Sequence, residues 1–209
     1  MRVDVKTVLL AAAVSLVAAL ALAAPLERPD PRLLAVIDSP ARPAADKARD
    51  AFRHPAASLT FWGLKGGDTI IDVSPGAGWW TEIIAPYLAA TGGHYVAAVA
   101  DLADPKVSAG ARRGRDAFAA KYAANSARYG DVSLVGFGRS SAPLAPAGSV
   151  DLVLVSREIH DWAQIDGYTA KAFGDFYAAL KPGGILAIED HRARDGAEPK
   201  KGDGYISEA

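Results

Sequence analysis

Five short apolar runs, rich in Val, Ile and Leu, recur along the chain and are separated by stretches with helical character. Runs that are apolar at nearly every position are typical of strands buried on both faces of a parallel sheet. Strands that alternate with helices favour a doubly wound α/β domain. The sequence therefore predicts a mostly parallel sheet covered by helices on both faces, with strands at DTIIDV, HYVAAVAD, DVSLVGF, VDLVLVS and ILAIED.

The segments between these runs predict the remaining organisation. Residues 25–43 are Pro-rich and are expected to form an irregular N-terminal arm, followed by the domain proper over residues 44–209. The helix that follows the first run is expected to kink or end near Pro86, because proline removes a backbone donor. A sharp turn is predicted over residues 181–184, and helices are predicted over residues 44–52, 55–64, 79–88, 106–128 and 168–180.

The bulk composition excludes several classes of function. The 209 residues are 50% hydrophobic and 22% charged, which suits one globular domain with a substantial core. The formal net charge of −1 provides no global attraction for nucleic acid, so no nucleic-acid partner is expected. Cysteine is absent, which excludes disulfides, thiolate metal sites and a cysteine nucleophile.

The N-terminus has the pattern of a secretory signal peptide. A short segment that is basic on balance, MRVDVK, precedes the apolar run TVLLAAAVSLVAALALAA and the small-x-small site Ala21-Leu22-Ala23. This order predicts a cleaved signal peptide over residues 1–24 and a periplasmic protein with no stable membrane association after cleavage. The alternative is an uncleaved inner-membrane anchor facing the periplasm, since the apolar run just reaches transmembrane length.

The turn after the first apolar run carries small residues at alternate positions. Its pattern is Asp72-x-Ser74-x-Gly76-x-Gly78, with the acid at the end of the predicted strand. In open parallel sheets, ligands bind beyond the carboxyl ends of the strands, near the point where the strand order reverses. This turn is therefore the first candidate for a binding site.

Two nucleotide-binding motifs are excluded at this turn. A dinucleotide fingerprint needs a further Gly three residues after its second one, and either Thr81 or Trp79 stands at that position. The Lys-Ser/Thr pair of a P-loop is also absent. The turn is expected to receive something other than a diphosphate.

Three landmarks in the correct order resemble the class I S-adenosylmethionine-dependent methyltransferases. The first is the turn from Asp72 to Gly78, which resembles their motif I, and the second is Asp101 at the end of the second run. The third comprises the fourth run, VDLVLVSREIHDW, and the turn and strand LKPGGILAIED. The resemblance implies a Rossmann-like doubly wound fold and S-adenosyl-L-methionine as the cofactor.

The resemblance also implies which residues hold the cofactor. The loop backbone is expected to approach its amino-acid end, with Asp72 helping to fix the ammonium group. Asp101, with Asp104 as the alternative, is expected to accept hydrogen bonds from the ribose hydroxyls. The residues assigned to cofactor binding are Asp72, Ser74, Gly76, Gly78, Asp101 and Ser156.

Four longer segments are similar to a group of exported bacterial proteins predicted to be methyltransferases. The similarity covers most of the chain after about Ala44 and implies no particular methyl acceptor. The segments are RDAFRHPAASLTFWGLKGGDTIIDVSPGAGWWTEIIAPYLA, SREIHDW, FYAALKPGGILAIEDHRA and GYISEA.

Two features depart from the class I pattern. Ser74 stands where a first Gly is usual, which costs backbone freedom if that position requires a positive φ. The chain also ends about twenty residues after the fifth run. The predicted fold therefore lacks the last helix and two strands of the class, GYISEA is expected to begin that helix, and the fifth strand becomes an exposed edge.

Catalytic candidates stand at the ends of the fourth and fifth runs. Adjacent parallel strands lie about 4.8 Å apart, so both groups are expected to face one cavity. His160 is the first choice for a general base and His191 the second, because imidazole titrates near neutral pH. The alternative for each is a structural hydrogen bond. Asp161 is expected to orient His160 or, preferably, to cap the following helix.

Two further features lie near these candidates in the predicted fold. His160, His191 and nearby carboxylates are competent metal ligands, but no ligand spacing supports a metal site, and none is expected. Arg49, Arg53 and Trp62 either cover the mouth of the cofactor site or pack the first helices.

Three functions compete at this point. The leading hypothesis is methyl transfer from S-adenosylmethionine to an unidentified acceptor, a small molecule or otherwise. The second is an exported small-ligand-binding or scaffold protein with an inactive methyltransferase fold, because the cofactor is made in the cytoplasm. The third is a nucleotide-dependent oxidoreductase, which Trp79 and Thr81 disfavour.

Overall fold

A computed structural model describes residues 28–197 and 202–207 of the chain. The signal peptide predicted over residues 1–24 lies outside them. In the part of the chain that is described, no helix is long and apolar enough to cross a membrane.

Strands and helices alternate through the described residues once the first helices have passed. In chain order the elements are α1 Pro31–Asp38, α2 Ala44–Lys47, α3 Asp50–Arg53, α4 Pro55–Phe61, β1 Thr69–Val73, α5 Thr81–Thr91, β2 His94–Ala100, α6 Ala109–Ala123, α7 Ser126–Tyr129, β3 Val132–Phe137, β4 Val150–Ser156, α8 Ile159–Trp162, α9 Tyr168–Ala179 and β5 Leu180–Glu189.

The strands form one parallel sheet in the order β3-β2-β1-β4-β5. Strand β1 lies at the centre, where Ile71 is paired with Val96 of β2 on one side and with Val153 of β4 on the other. The order of connection therefore reverses between β1 and β4, and their carboxyl ends form the switch point where ligands bind in such sheets. The predicted parallel α/β sheet is confirmed.

Two apolar clusters cover the two faces of the sheet. Ile70 belongs to the cluster under α1, α4, α5, α6 and α7, whereas its neighbour Ile71 belongs to the cluster under α8 and α9. Successive side chains of a strand point to opposite faces, so both neighbours in β1 are buried. This explains why the runs are apolar at nearly every position rather than at alternate ones.

The prediction of an irregular arm over residues 25–43 is wrong for residues 31–38, which form α1. Asp30 caps this helix by accepting a hydrogen bond from the backbone N–H of Arg32 at 2.8 Å, and Pro31 occupies its first turn. Leu33 and Ile37, one turn apart, are buried. The helix signals were present, but the proline-rich composition obscured them.

Several predicted boundaries also change. Helix α5 runs through Pro86 to Thr91, since its first eight residues are buried and their packing outweighs the missing hydrogen bond. The helix predicted over 44–52 is two single turns, α2 and α3, and the one predicted over 106–128 divides into α6 and α7. Strand β5 begins at Leu180, which pairs with Val150 of β4. The predicted turn forms an irregularity between this pair and the next one, Leu152 with Ile185.

The segment GYISEA, expected to begin a helix, is extended where it is described. Ile206 forms a parallel bridge with Arg192, with the Ile206 N–H donating to the His191 carbonyl at 3.0 Å. The Ala193 N–H donates back to the Ile206 carbonyl at 2.8 Å. Backbone pairing next to the end of β5 therefore replaces the expected helical turn.

A buried carboxylate ties α5 to α6 and α7. Glu82 lies within the core, where its Oε1 is 2.9 Å from Lys121 Nζ and its Oε2 is 3.2 Å from Arg128 Nη2. The hydroxyl of Tyr129 donates to Oε2 at 2.8 Å, and the hydroxyl oxygen of Tyr122 lies 3.5 Å from Oε1. Burying this charge is favourable only because these partners surround it.

Replacing Glu82 with Gln is expected to lower the free energy of unfolding by about 2–4 kcal/mol, because Lys121 and Arg128 lose their buried counter-charge. Urea denaturation followed by circular dichroism measures this loss. Asp116→Asn, which removes an exposed carboxylate of α6, is the matched control and is expected to stay within about 0.5 kcal/mol of the wild type. Equal stabilities of the two variants would contradict the anchoring role of Glu82.

Candidate functional site

The turn after β1 places three of its residues in the left-handed region of backbone space. The φ angles are 52° at Ser74, 58° at Gly76 and 86° at Gly78. Left-handed backbone costs a non-glycine residue about 1–3 kcal/mol, so Ser74 is strained. The Ser74 N–H donates to the Ala98 carbonyl at 2.8 Å, which holds the turn against the end of β2.

The two glycines of this turn are required for different reasons. A Cβ atom at Gly78 would lie 1.9 Å from the Tyr122 hydroxyl oxygen, so glycine is needed there for close packing against α6. A Cβ atom at Gly76 would meet no other atom within 4 Å. A ligand can therefore approach the backbone at Gly76, whereas the backbone at Gly78 is covered by Tyr122.

The two tryptophans after the turn are buried and bonded to neighbouring elements. Trp79 Nε1 donates to the Asp46 carbonyl at 2.9 Å, which joins the turn to α2. Trp80 Nε1 donates to Ser156 Oγ at 3.2 Å, which joins it to the end of β4. The ring centroids of the two tryptophans lie 4.5 Å apart in an edge-to-face arrangement. They form a rigid wall beside the turn.

Two cavities flank the turn. The first has a volume of about 370 Å³ and is lined by Asp46, Arg49, Arg53, Asp72, Ser74, Pro75, Gly76, Ala77, Trp79, Trp80, Ser156, Arg157, Glu158, His160 and His191. The second has a volume of about 310 Å³ and is lined by Ser74, Pro75, Gly76, Val99, Ala100, Ala111, Gly114, Arg115, Phe118 and Glu158. Because residues 74–76 and Glu158 line both, one ligand can reach across the turn.

Asp72 lies at the carboxyl end of β1, beneath the first cavity. Its side chain is almost fully buried and accepts a 2.6 Å hydrogen bond from the Tyr95 hydroxyl. The Tyr95 oxygen is in turn 2.8 Å from Thr81 Oγ1. Burial raises the pKa of Asp72 to about 7, and the hydrogen bond from Tyr95 opposes that shift. A cationic group in the cavity would be stabilised by the ionised form.

The sequence patterns assign no role to Glu158, which lines both cavities. Burial raises its pKa to about 7, a hydrogen bond with Ser74 opposes the shift, and the charge of Asp161 adds to it. A carboxyl group with a perturbed pKa in a cleft is a functional candidate. The position of Glu158, an acidic residue just after the fourth strand and two residues before His160, was the sequence feature that could have indicated this role.

His160 forms a close pair with Asp190. Its Nδ1 is 2.6 Å from Asp190 Oδ1, and its backbone N–H donates to Asp190 Oδ2 at 3.0 Å. The side chain of Asp190 is only 3% exposed and also accepts from the His191 N–H at 2.7 Å. Asp190 thus fixes the His160 ring, and a neutral imidazole that donates through Nδ1 keeps Nε2 as an acceptor.

The role expected for Asp161 is wrong. Its side chain is 70% exposed, lines neither cavity and lies 3.8 Å from His160 Nε2, beyond hydrogen-bond reach. It also lies inside α8, whose N-cap position is Glu158, so it does not cap that helix. The carboxylate that orients His160 comes from the end of β5, because parallel register brings Asp190 beside the end of β4.

The remaining predicted residues are divided between the cavity and its surroundings. Ser156 lines the first cavity and donates to Glu189 Oε2 at 2.8 Å, while His191 lines it with its ring centroid 5.7 Å from that of His160. Asp101 directly follows β2, next to Ala100 of the second cavity, but its carboxylate accepts from the Ala103 N–H at 3.0 Å and does not line that cavity.

The architecture and the position of the cleft define the class of fold. The chain is similar to the solved structure of a SAM-dependent methyltransferase from Aquifex aeolicus, at 20% identity over 85% of this chain and 81% of that one, with a TM-score of 0.55. It is also similar to the 4+2 cyclase SpnF, at 19% identity over 77% of this chain, with a TM-score of 0.53. The chain has the Rossmann-like α/β fold of the class I methyltransferases.

These similarities concern the fold rather than the reaction, because few residues are shared. The chain spans 52% of the length of SpnF. No protein-family model matches the sequence, and no curated protein matches it. The function must therefore be argued from the residues of the cleft.

Asp72→Asn is expected to stabilise the protein at about pH 8 by more than about 1 kcal/mol and to have little effect at about pH 4. With its pKa raised to about 7 from 3.8, folded Asp72 keeps a proton that the unfolded chain has lost. Stability therefore falls as pH rises between these values and stays low above them. Asparagine remains neutral and still accepts from Tyr95.

Urea unfolding of the wild type and the variant at both pH values measures this effect. Glu158→Gln is expected to change stability in the same direction, since its pKa is also raised to about 7 from 4.5. Asp116→Asn is the exposed control. A gain for Asp72→Asn that is equal at both pH values would mean that Asp72 is not protonated in the folded protein near neutrality.

Proposed function

We propose that the chain binds S-adenosylmethionine across the two cavities and transfers its methyl group to an acceptor. The observation that carries this proposal is the open backbone of Gly76 between two cavities at the switch point of a class I fold. A dinucleotide site would need a small residue where Trp79 or Thr81 is packed. The turn suits a ligand with an amino-acid end rather than a diphosphate.

The residues of the cleft fit this cofactor at both ends. Asp72, ionised in part near neutral pH, offers the carboxylate for the ammonium group, and Gly76 offers unobstructed backbone beside it. The second cavity is lined mainly by small and apolar side chains, which suits an adenine ring. Asp101 directly follows Ala100, which lines that cavity, and is the candidate for the ribose hydroxyls. When bound, the cofactor supplies an electrophilic methyl group.

The protein's own contribution is to position the acceptor, exclude water and remove a proton. His160 lines the first cavity, and Asp190 holds its Nδ1, so Nε2 is the atom that would accept a proton from an acceptor hydroxyl or amine. Glu158, with its pKa raised to about 7, is a second group able to exchange a proton near neutrality. Trp79 and Trp80 provide the apolar wall.

A second candidate is ligand binding or another reaction on the same fold. The solved structure of SpnF bears the name of a cyclase, and its fold matches this one with a TM-score of 0.53. Fold alone therefore does not imply methyl transfer. Export of the chain, which the sequence of residues 1–24 predicts, would favour this candidate, since the cofactor is made in the cytoplasm.

Calorimetric titration of the protein without residues 1–24 is expected to detect binding of S-adenosylmethionine and S-adenosylhomocysteine, but not of NADH. Gly76→Ala is expected to weaken S-adenosylhomocysteine binding at least about 10-fold, because the added methyl group occupies the approach to the turn. Gly148→Ala is the matched control. Gly148 also has a positive φ, 64°, with no atom within 4 Å of an added Cβ, and it lines neither cavity.

The control separates backbone strain from blocked access. Both alanine variants are expected to lose similar stability, and only Gly76→Ala is expected to lose affinity. Absence of adenosyl-ligand binding in the folded wild type would overturn the proposed function. Binding of NADH instead would favour the oxidoreductase.

Asp101→Ala is expected to weaken S-adenosylhomocysteine binding at least about 10-fold, because two ribose hydroxyls would lose a charged acceptor. Asp104→Ala tests the alternative residue, since Asp104 Oδ1 makes the equivalent local contact, accepting from the Lys106 N–H at 2.8 Å. The same titration measures both variants. Wild-type affinity in Asp101→Ala would show that Asp101 only shapes its turn, and a loss confined to Asp104→Ala would assign the ribose hydroxyls to Asp104.

A further inference from the structure

The first cavity contains a cluster of three arginines. Arg49, Arg53 and Arg157 line this cavity, and within residues 28–197 and 202–207 none of them is in an ion pair. We propose that these arginines bind an acidic group, a carboxylate or phosphate, of the methyl acceptor. This inference rests on the proposed function and names the substrate class for it.

Arg42, a neighbouring arginine, shows the hydrogen bonds that an arginine with a structural role makes in this protein. Arg42 is buried and donates through Nη1 and Nη2 to the two carboxylate oxygens of Asp50, at 2.7 and 2.8 Å. It also donates to the Ile37 carbonyl at 2.8 Å. The structural role of Arg42 is thus visible in its partners, whereas the three cavity arginines form no such ion pair with any residue that the structure describes.

Among the described residues, Arg53 contacts an aromatic ring without using its side-chain N–H donors. Its guanidinium carbon lies 4.6 Å from the centroid of the Trp79 ring, within cation–π distance. This contact fixes the position of the group while the N–H donors remain available for an anion. Partial burial lowers the pKa of Arg53, and the charges of Arg157 and Arg49 lower it further.

Arg157 brings a third cation to the end of β4. Its backbone is left-handed, with φ at 61°, and its N–H donates to the Glu189 carbonyl at 2.7 Å. Its Nε is buried and has no hydrogen-bond partner among the described residues. A buried donor left unbonded is costly, and a strained residue that holds one is a candidate for ligand binding.

The carboxylates near these arginines do not cancel their charge. Arg53 is influenced more by Arg157 and Arg49 than by Glu189 or Asp46, the acidic groups that oppose them. The other two carboxyl groups of the cavity, at Asp72 and Glu158, have pKa values raised to about 7 and carry a full charge only above neutrality. A bound anion would relieve the repulsion that Arg157 and Arg49 exert on Arg53.

The cofactor's own carboxylate is the other anion that could occupy this position. One guanidinium satisfies a carboxylate through two parallel hydrogen bonds, so three exceed what a single amino-acid end requires. Arg157 is also adjacent in sequence to the segment carrying His160 and is bonded to the residue before Asp190. The cluster thus lies beside the proposed base, where an acceptor must be held.

Inorganic phosphate and acetate are the probes for this site, in calorimetric titrations of the protein without residues 1–24. Arg53→Gln and Arg157→Gln are each expected to weaken phosphate binding at least about 10-fold, with S-adenosylhomocysteine affinity within about 3-fold of the wild type. Arg113→Gln, which removes an exposed arginine of α6, is the matched control. Circular dichroism checks that each variant is folded, and Arg53→Gln leaves the strained position 157 unchanged.

A competition titration separates the two anions. Phosphate is expected to bind together with S-adenosylhomocysteine without weakening it. Competition between them, with equal losses of both in the arginine variants, would assign the cluster to the cofactor and overturn the acceptor site. If neither phosphate nor acetate bound to the wild type, the proposed acceptor site would also be overturned. Phosphate binding without adenosyl binding would reject the proposed methyl transfer but support the anion site.

Discussion

The close approach of Tyr122 to the backbone of Gly78 is the contact on which the cleft depends. Its hydroxyl donates to the Gly78 carbonyl at 3.1 Å, in a space that a side chain at position 78 would fill. The same hydroxyl reaches Glu82, so the turn, α5 and α6 are joined through one ring. This contact fixes Gly78 at the end of the turn. Residues 74–76, which precede it, line a cavity on each side.

The sheet was predictable from the sequence because its physical cause is local in the chain. Every strand of a parallel sheet with two covered faces must be apolar at neighbouring positions, as Ile70 and Ile71 are. The turn was predictable for a similar reason, since alternate small residues mark backbone that a ligand or a packed ring approaches. The strain expected at Ser74 is confirmed by its positive φ.

The partners of the candidate catalytic residues were not predictable in the same way. Asp161 is next to His160 in the sequence, yet the orienting carboxylate is Asp190, which comes from another strand. Such a pairing depends on the register between β4 and β5, and that register includes an irregularity at residues 180–185. Helix α1 was missed for a different reason, because the Pro-rich composition of residues 25–43 favoured an irregular arm although Pro31 occupies the first turn of the helix.

Arg49 is the N-cap residue of α3 and Arg53 is its last residue, and both α3 and the preceding α2 are single turns. Helices this short have no stability of their own and exist only through contacts such as that of Trp79 with the Asp46 carbonyl. None of the residues proposed to hold the cofactor, Asp72, Gly76 and Asp101, lies in α2 or α3. On the proposed function, the choice of acceptor and the hold on the cofactor are therefore separable traits. The ten residues 44–53, which precede the sheet, can therefore change under selection while the residues proposed to hold the cofactor stay the same.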